Sequence, residues 1–208
     1  MRMIVFDVET GGLDPQTCAL LSIGAVDLMT KETFYIEIQA EGKLAVHPQA
    51  LKINGFTMTG VRSPLLPNED TAIWKLNEWL SPRVPFMPAG QNISFDLAFL
   101  NAAIARHKAT SFFGHRSFDL QTLALSCHLV NLIHLPELPG HLPSSSLDSI
   151  LGSIGLSRTD EVHSAREDAL LTAEAIEILL GRMSRKHREG KSRGRSVPQV
   201  EIGMRIVS

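Results

Sequence analysis

The alternation of apolar and polar positions opens the chain on a strand. Ile4, Val5 and Phe6 form an apolar run, and Asp7-Val8-Glu9-Thr10 then alternates before stopping at Gly11-Gly12. Residues two apart on a strand share a face, so Asp7 and Glu9 lie side by side while Phe6 and Val8 turn to a core. Ala19 to Leu28 predicts a second strand and Thr33 to Ile38 a third, and the short link Thr30-Lys31-Glu32 predicts an antiparallel meander. His47 to Ile53 reads as a short helix closed by Asn54-Gly55, and Pro64 to Asn68 as a loop. Between Asp70 and Leu80, Ile73, Leu76, Trp79 and Leu80 recur at helical spacing. Both Trp74 and Trp79 are assigned to the core.

Val84 to Gly90 is a strand candidate interrupted by Pro85 and Pro88. From Asn92, which can satisfy free backbone donors, a helix runs through Ile104. Ser117 to Leu120 opens another unit, with a helix to about Leu129, and the prolines between His134 and Ser144 predict an exposed loop. Ser146 to Ile154 predicts a helix closed by Gly155, and Ala165 to Met183 the last helix. Strands first, then helices alternating with further strands, predict an α/β fold: a mixed sheet, antiparallel meander plus parallel strands, flanked by helices.

A chain of 208 residues suits one domain with a tail, here 1–183 and a basic, flexible 184–208 that ends in an apolar stretch, Ile202 to Val207. Hydrophobic residues at 44% and charged ones at 20% fit an ordinary soluble protein. No apolar run approaches the length of a membrane span, and no signal-peptide pattern is visible. Cys18 and Cys127 lack CxxC spacing, which fits a reducing, cytoplasmic setting and gives no support for a zinc or redox site. Charge is uneven: Arg182 to Arg195 holds seven Lys and Arg against one Glu, a local +6 that leaves −8 on the rest of a chain of net −2. Such an asymmetry suggests contact with a polyanion, or a solvated terminus.

The acids change the picture most. Asp7 and Glu9 repel each other unless a cation lies between them, and a hard divalent ion with oxygen ligands is the usual solution. The plain alternative is a pair of solvated acids on an edge strand. Asp96, in Asn92-Ile93-Ser94-Phe95-Asp96, falls in or near a first helical turn, where the helix dipole also favours an acid. Ser164 and Glu167 have the spacing of a capping box, which puts Ser164 at the N-cap and His163 outside the helix. His163 and Asp168, which would diverge on a continuous helix, can then converge. An imidazole titrates near neutrality and suits a general base.

Taken in order, Asp7-Val8-Glu9-Thr10-Gly11-Gly12-Leu13, Gly90-Gln91-Asn92-Ile93-Ser94-Phe95-Asp96 and His163-Ser164-Ala165-Arg166-Glu167-Asp168-Ala169-Leu170 resemble the three motifs of the DEDDh 3′→5′ exonucleases. This family of the ribonuclease H-like superfamily includes the proofreading epsilon subunit of bacterial replicative polymerase and ribonuclease T. The resemblance runs from about Met3 to Leu180 and implies a ribonuclease H-like sheet. It implies that Asp7, Glu9, Asp96 and Asp168 bind two divalent cations, Mg²⁺ or Mn²⁺, with Asp7 bridging and His163 deprotonating the attacking water. It implies that Thr10, Gly12 and Leu13 contact the terminal nucleotide. Ser22 departs from the acid or amide of many relatives, which puts in doubt a nucleotide contact from that side chain. The expected substrate is a single-stranded 3′ end, DNA before RNA, in a proofreading or repair role. The alternatives are an RNA-trimming enzyme, a non-catalytic nucleic-acid-binding module, and a polymerase accessory. Oligomeric state stays open.

Overall fold

The computed structural model describes residues 1–158 and 162–192, with side chains to residue 188. Its strands are β1 (Met3–Thr10), β2 (Leu20–Asp27), β3 (Thr33–Glu37), β4 (Met87–Gly90) and β5 (Phe118–Asp119), with a separate small hairpin of β6 (Glu137–Leu138) and β7 (Leu142–Pro143). The helices are α1 (Pro48–Asn54), α2 (Met58–Val61), α3 (Glu69–Leu80), α4 (Ile93–Arg106), α5 (Leu120–Leu129), α6 (Leu147–Ile154) and α7 (Ala165–Ser192).

The main sheet has the order β3-β2-β1-β4-β5. β1 to β3 form the antiparallel meander, and β4 and β5 continue parallel to β1. Strict alternation along β1 separates two cores. Ile4, Phe6 and Val8 join Ile23, Ala25 and Ile36 against Ile73, Leu76 and Leu80 of α3 and Phe99 and Leu100 of α4. Val5, Val26 and Ala89 face the other way, onto Leu120, Ala124, Ile150, Ala169 and Ile176 of α5, α6 and α7. The central strand is therefore covered on both faces, and a polar side chain pointing from it enters a desolvated space.

Several boundaries differ from the sequence reading. Trp79 packs against the first core, but Trp74 is 60% exposed. These positions are five apart on one helix, and successive residues turn by about 100°, so one face cannot bury both. α2 was not expected; Thr57 caps it by accepting from the Gly60 amide at 3.0 Å. The proline-rich loop contains the hairpin β6–β7, whose two-residue strands are too short to show alternation. α7 continues past Met183 to Ser192, taking in part of the basic run. Residues 184–188 are exposed, so no apolar period marks this extension, although Arg and Lys favour helix. The rest of the predicted tail, with Ile202 to Val207, lies outside the described residues. Among the described residues, no helix is long and apolar enough to cross a membrane.

Candidate active site

Asp7 and Glu9 project from the carboxyl half of β1 on the face covered by α7. In the antiparallel register Asp7 lies opposite Gly24 and Glu9 opposite Ser22. Gly24 is what lets α7 approach: a Cβ there would sit 2.0 Å from the Ala165 carbonyl oxygen. The first turn of α7 thus rests directly on β2, and Asp168, 3% exposed, is delivered to the strand acids. The Asp168 amide donates to the Ser164 carbonyl at 2.8 Å, so Ser164 opens the helix and His163 precedes it, as the cap spacing predicts.

The segment before α7 is gripped by the end of α1. The His163 amide donates to the Ile53 carbonyl at 3.2 Å. Gly55 is in the left-handed region with φ +68°, and a Cβ on it would meet Val162 at 2.3 Å. His163 Nδ1 lies 3.6 Å from Asp168 Oδ2. Possible ligand atoms of Glu9, His163 and Asp168 all fall within 4.8 Å of one another.

Asp96 arrives from the opposite side, in the first turn of α4, and its Oδ1 accepts from the Val8 amide at 2.9 Å. The cap of this helix corrects the sequence reading. Asn92 adopts φ 52° and ψ 44° and makes no side-chain cap bond. Asp119 takes the role from the neighbouring strand: its Oδ2 accepts from the Ile93 amide and its Oδ1 from the Thr122 amide, both at 3.0 Å. One carboxylate caps α4 and α5 together and fixes their starts relative to each other.

Crowding shows in the acids' proton affinities. Burial pushes Asp7 well above the ordinary carboxylate range, and the Asp96, Asp168 and Glu9 carboxylates push it further. Asp96 is raised well above that range by burial, against the opposing Val8 amide. Burial, then Asp168, raises Glu9 to about 7. Asp168 is raised by burial, with the Arg158 guanidinium opposing. A desolvated set of mutually repelling oxygen donors fits hard divalent cations, which remove both the repulsion and the desolvation penalty.

Two neighbours were not foreseen. Asn54, read only as a helix stop, is 5% exposed; its Nδ2 donates to the Thr10 carbonyl at 3.3 Å, and its amide beside Glu9 holds that carboxyl down somewhat. Arg158 pairs with Asp168 and, at 2.7 Å, with Asp148. A lone arginine in a polar segment carries no sequence signal of such a role.

A cleft of about 630 Å³ opens beside Glu9, bounded by Thr10, Gly12, Leu13, His47 and Phe95 among others. Thr10 Oγ1 donates to the Gly12 carbonyl at 2.7 Å and fixes the turn. A Cβ on Gly12 would meet Cys18 Sγ and His47 Cδ2, each at 2.6 Å, so a larger residue would have to displace these side chains. Leu13 is 86% exposed at the rim. The structure therefore brings Thr10, Gly12 and Leu13 to one wall of the cleft next to the acids. Ser22 is fully buried and does not line this cleft.

Comparisons with known proteins give the family and the fold. A family model described as Exonuclease (RNase_T) matches residues 4–176. The chain is 29% identical over 174 residues to DNA polymerase III PolC-type of Thermotoga maritima, an alignment covering 83% of this chain and 11% of that protein. Among solved structures, E. coli Exonuclease I in complex with a dT13 oligonucleotide matches with a TM-score of 0.76 at 20% identity, covering 90% of this chain and 43% of that one. The same enzyme with a dA16 oligonucleotide matches at 0.75 and 20%, covering 92% and 43%. The chain thus spans about a tenth of the PolC-type relative and less than half of Exonuclease I. The structural likeness carries the fold, which is ribonuclease H-like.

Proposed function

The chain belongs to the Exonuclease family, of the DEDD type within the ribonuclease H-like superfamily, and from that premise we propose that it is a metal-dependent 3′→5′ exonuclease. In this reading it acts on single-stranded ends, DNA before RNA, and releases nucleoside 5′-monophosphates. The observation that carries the proposal is the convergence of Asp7, Glu9, Asp96, Asp168 and His163, from three separate stretches of sequence, with Glu9 lining an open cleft.

Asp7, Glu9, Asp96 and Asp168 would hold two Mg²⁺ or Mn²⁺ ions. Bound there, such ions would lower the pKa of an attacking water and stabilise the leaving 3′-oxygen. The chain's own contribution is orientation and proton traffic. The Val8 amide fixes one oxygen of Asp96, and Asn54 steadies the strand end that carries Glu9. His163 takes the proton of the water; its side chain is 40% exposed, so the proton can pass on to solvent. The turn of Thr10, Gly12 and Leu13 seats the terminal nucleotide, with Leu13 against the base.

Preference for DNA is supported by the oligonucleotide complexes of Exonuclease I, and a polymerase partner, with a proofreading or repair role, by the PolC-type relative; a cytoplasmic setting is part of the same proposal. In this proposal residues 1–183 suffice for chemistry and the basic residues from 184 onward contact phosphate.

The test is a 5′-labelled single-stranded oligonucleotide, as DNA and as matched RNA, incubated with Mg²⁺. A ladder shortening from the 3′ end, faster for DNA, is expected. A ladder that persists when the 3′ end carries phosphorothioate linkages contradicts the direction, and equal rates contradict the DNA preference.

A further inference from the structure

The cation nearest the acids is a side chain. Arg158 follows α6, and its side chain is 10% exposed. Its Nη1 bonds Asp168 Oδ1, and its Nε bonds Oδ1 of Asp148 at 2.7 Å. The guanidinium is thus split between two acids on different helices rather than forked onto one. Asp148, in the first turn of α6, is 66% exposed and stands outside the acid cluster. If the bond to Asp168 breaks, the bond to Asp148 still holds the side chain close by.

We propose that Arg158 is the internal counter-ion of the cation-free site, competing with the divalent cation for Asp168 and thereby setting how tightly that cation binds. The inference rests on the metal reading of the preceding section. Four carboxylates packed in a desolvated space shed their mutual repulsion by holding protons or by gaining positive charge, and one guanidinium supplies part of that charge. Arginine cannot give up its proton, so it leaves Asp168 only by moving. The split geometry allows that movement at the loss of one bond. Once more than one of the four acids is ionised, one guanidinium leaves a surplus of negative charge, so a divalent ion is still attracted.

The experiment is calorimetric titration of Mn²⁺ into the chelator-stripped full chain, for wild type, Arg158→Gln and Arg158→Lys. Thermal melts with and without Mn²⁺ accompany it. Removing a competing charge at this range should tighten Mn²⁺ binding by roughly tenfold in Arg158→Gln. Arg158→Lys, which keeps the charge, should bind within about threefold of wild type on the same ground. The Tm of Arg158→Gln should be lower than that of wild type in chelator, and its rise with Mn²⁺ larger. That rise remains measurable even where the metal-free variant is poorly folded. Unchanged or weaker Mn²⁺ binding by Arg158→Gln overturns the proposal, as does a lysine variant that behaves like glutamine. Wild type that binds no Mn²⁺ overturns the metal reading itself.

Discussion

Val8 and Asp96, 88 positions apart, are joined by a buried hydrogen bond of 2.9 Å from the strand amide to Oδ1. The bond aims an acid of α4 at the end of β1, and it separates two roles of that carboxylate. Asp96→Asn keeps an acceptor for Val8 but loses the charge. We expect its Tm to match or exceed wild type, because a repelling charge is gone, while nuclease activity falls by about a hundredfold or more. Asp96→Ala also strands the amide and should be less stable than Asp96→Asn by about 1–3 kcal/mol. Equal melts for the two variants would mean the bond does not contribute.

Gly24 controls how closely α7 sits on the sheet. A methyl group there would have to share space with the Ala165 carbonyl, 2.0 Å away, and both are backbone-borne. Gly24→Ala should therefore cost about 1–3 kcal/mol of stability. It should also cut activity by displacing Asp168 and His163 together. Chemical denaturation and a nuclease assay on the same sample check both.

His163 stands within ligand range of Glu9 and Asp168, so a base and a ligand need to be told apart. As the base, His163→Gln should lower kcat by roughly 10²–10⁴-fold. Its Mn²⁺ affinity should stay near wild type. A large loss of Mn²⁺ affinity would make the imidazole a ligand.

The acids also set a pH dependence of stability. Glu9 moves from an ordinary 4.5 to about 7 in the fold, so the folded chain holds a proton that the unfolded chain has released. Its stabilisation is complete below the ordinary value and is lost as pH rises through about 7, up to roughly 3 kcal/mol. Asp7, Asp96 and Asp168 shift in the same direction. In chelator, Tm should thus be higher at pH 5 than at pH 8, and Mg²⁺ should restore most of the loss at pH 8. A metal-free Tm that rises over this interval would contradict the crowded-acid description.

What could be read beforehand was what adjacent residues encode. Alternation put Asp7 and Glu9 on one face of β1, and the spacing of Ser164 and Glu167 placed His163 just outside α7. What could not be read depends on neighbours distant in sequence. Asp119 caps α4 from another strand, so Asn92 looked like the cap although its backbone is left-handed. Asn54 resembled a simple helix stop because its partners, Thr10 and Glu9, lie more than forty positions away. Arg158 had no local pattern at all. Trp74 lies off the stripe of Ile73, Leu76, Trp79 and Leu80, so the helical spacing separates two tryptophans that size and apolarity alone assign together to the core.

The central claim, that the strand acids bind cations for phosphodiester hydrolysis, is tested most directly on Asp7. Release of 5′-mononucleotides from a 3′-end-labelled single-stranded DNA is measured for wild type and Asp7→Asn, with Mg²⁺ and with chelator. We predict release by wild type only with Mg²⁺, and a loss of at least about a hundredfold in Asp7→Asn with the fold intact by circular dichroism. Equal release by the variant, or undiminished release in chelator, would contradict the account.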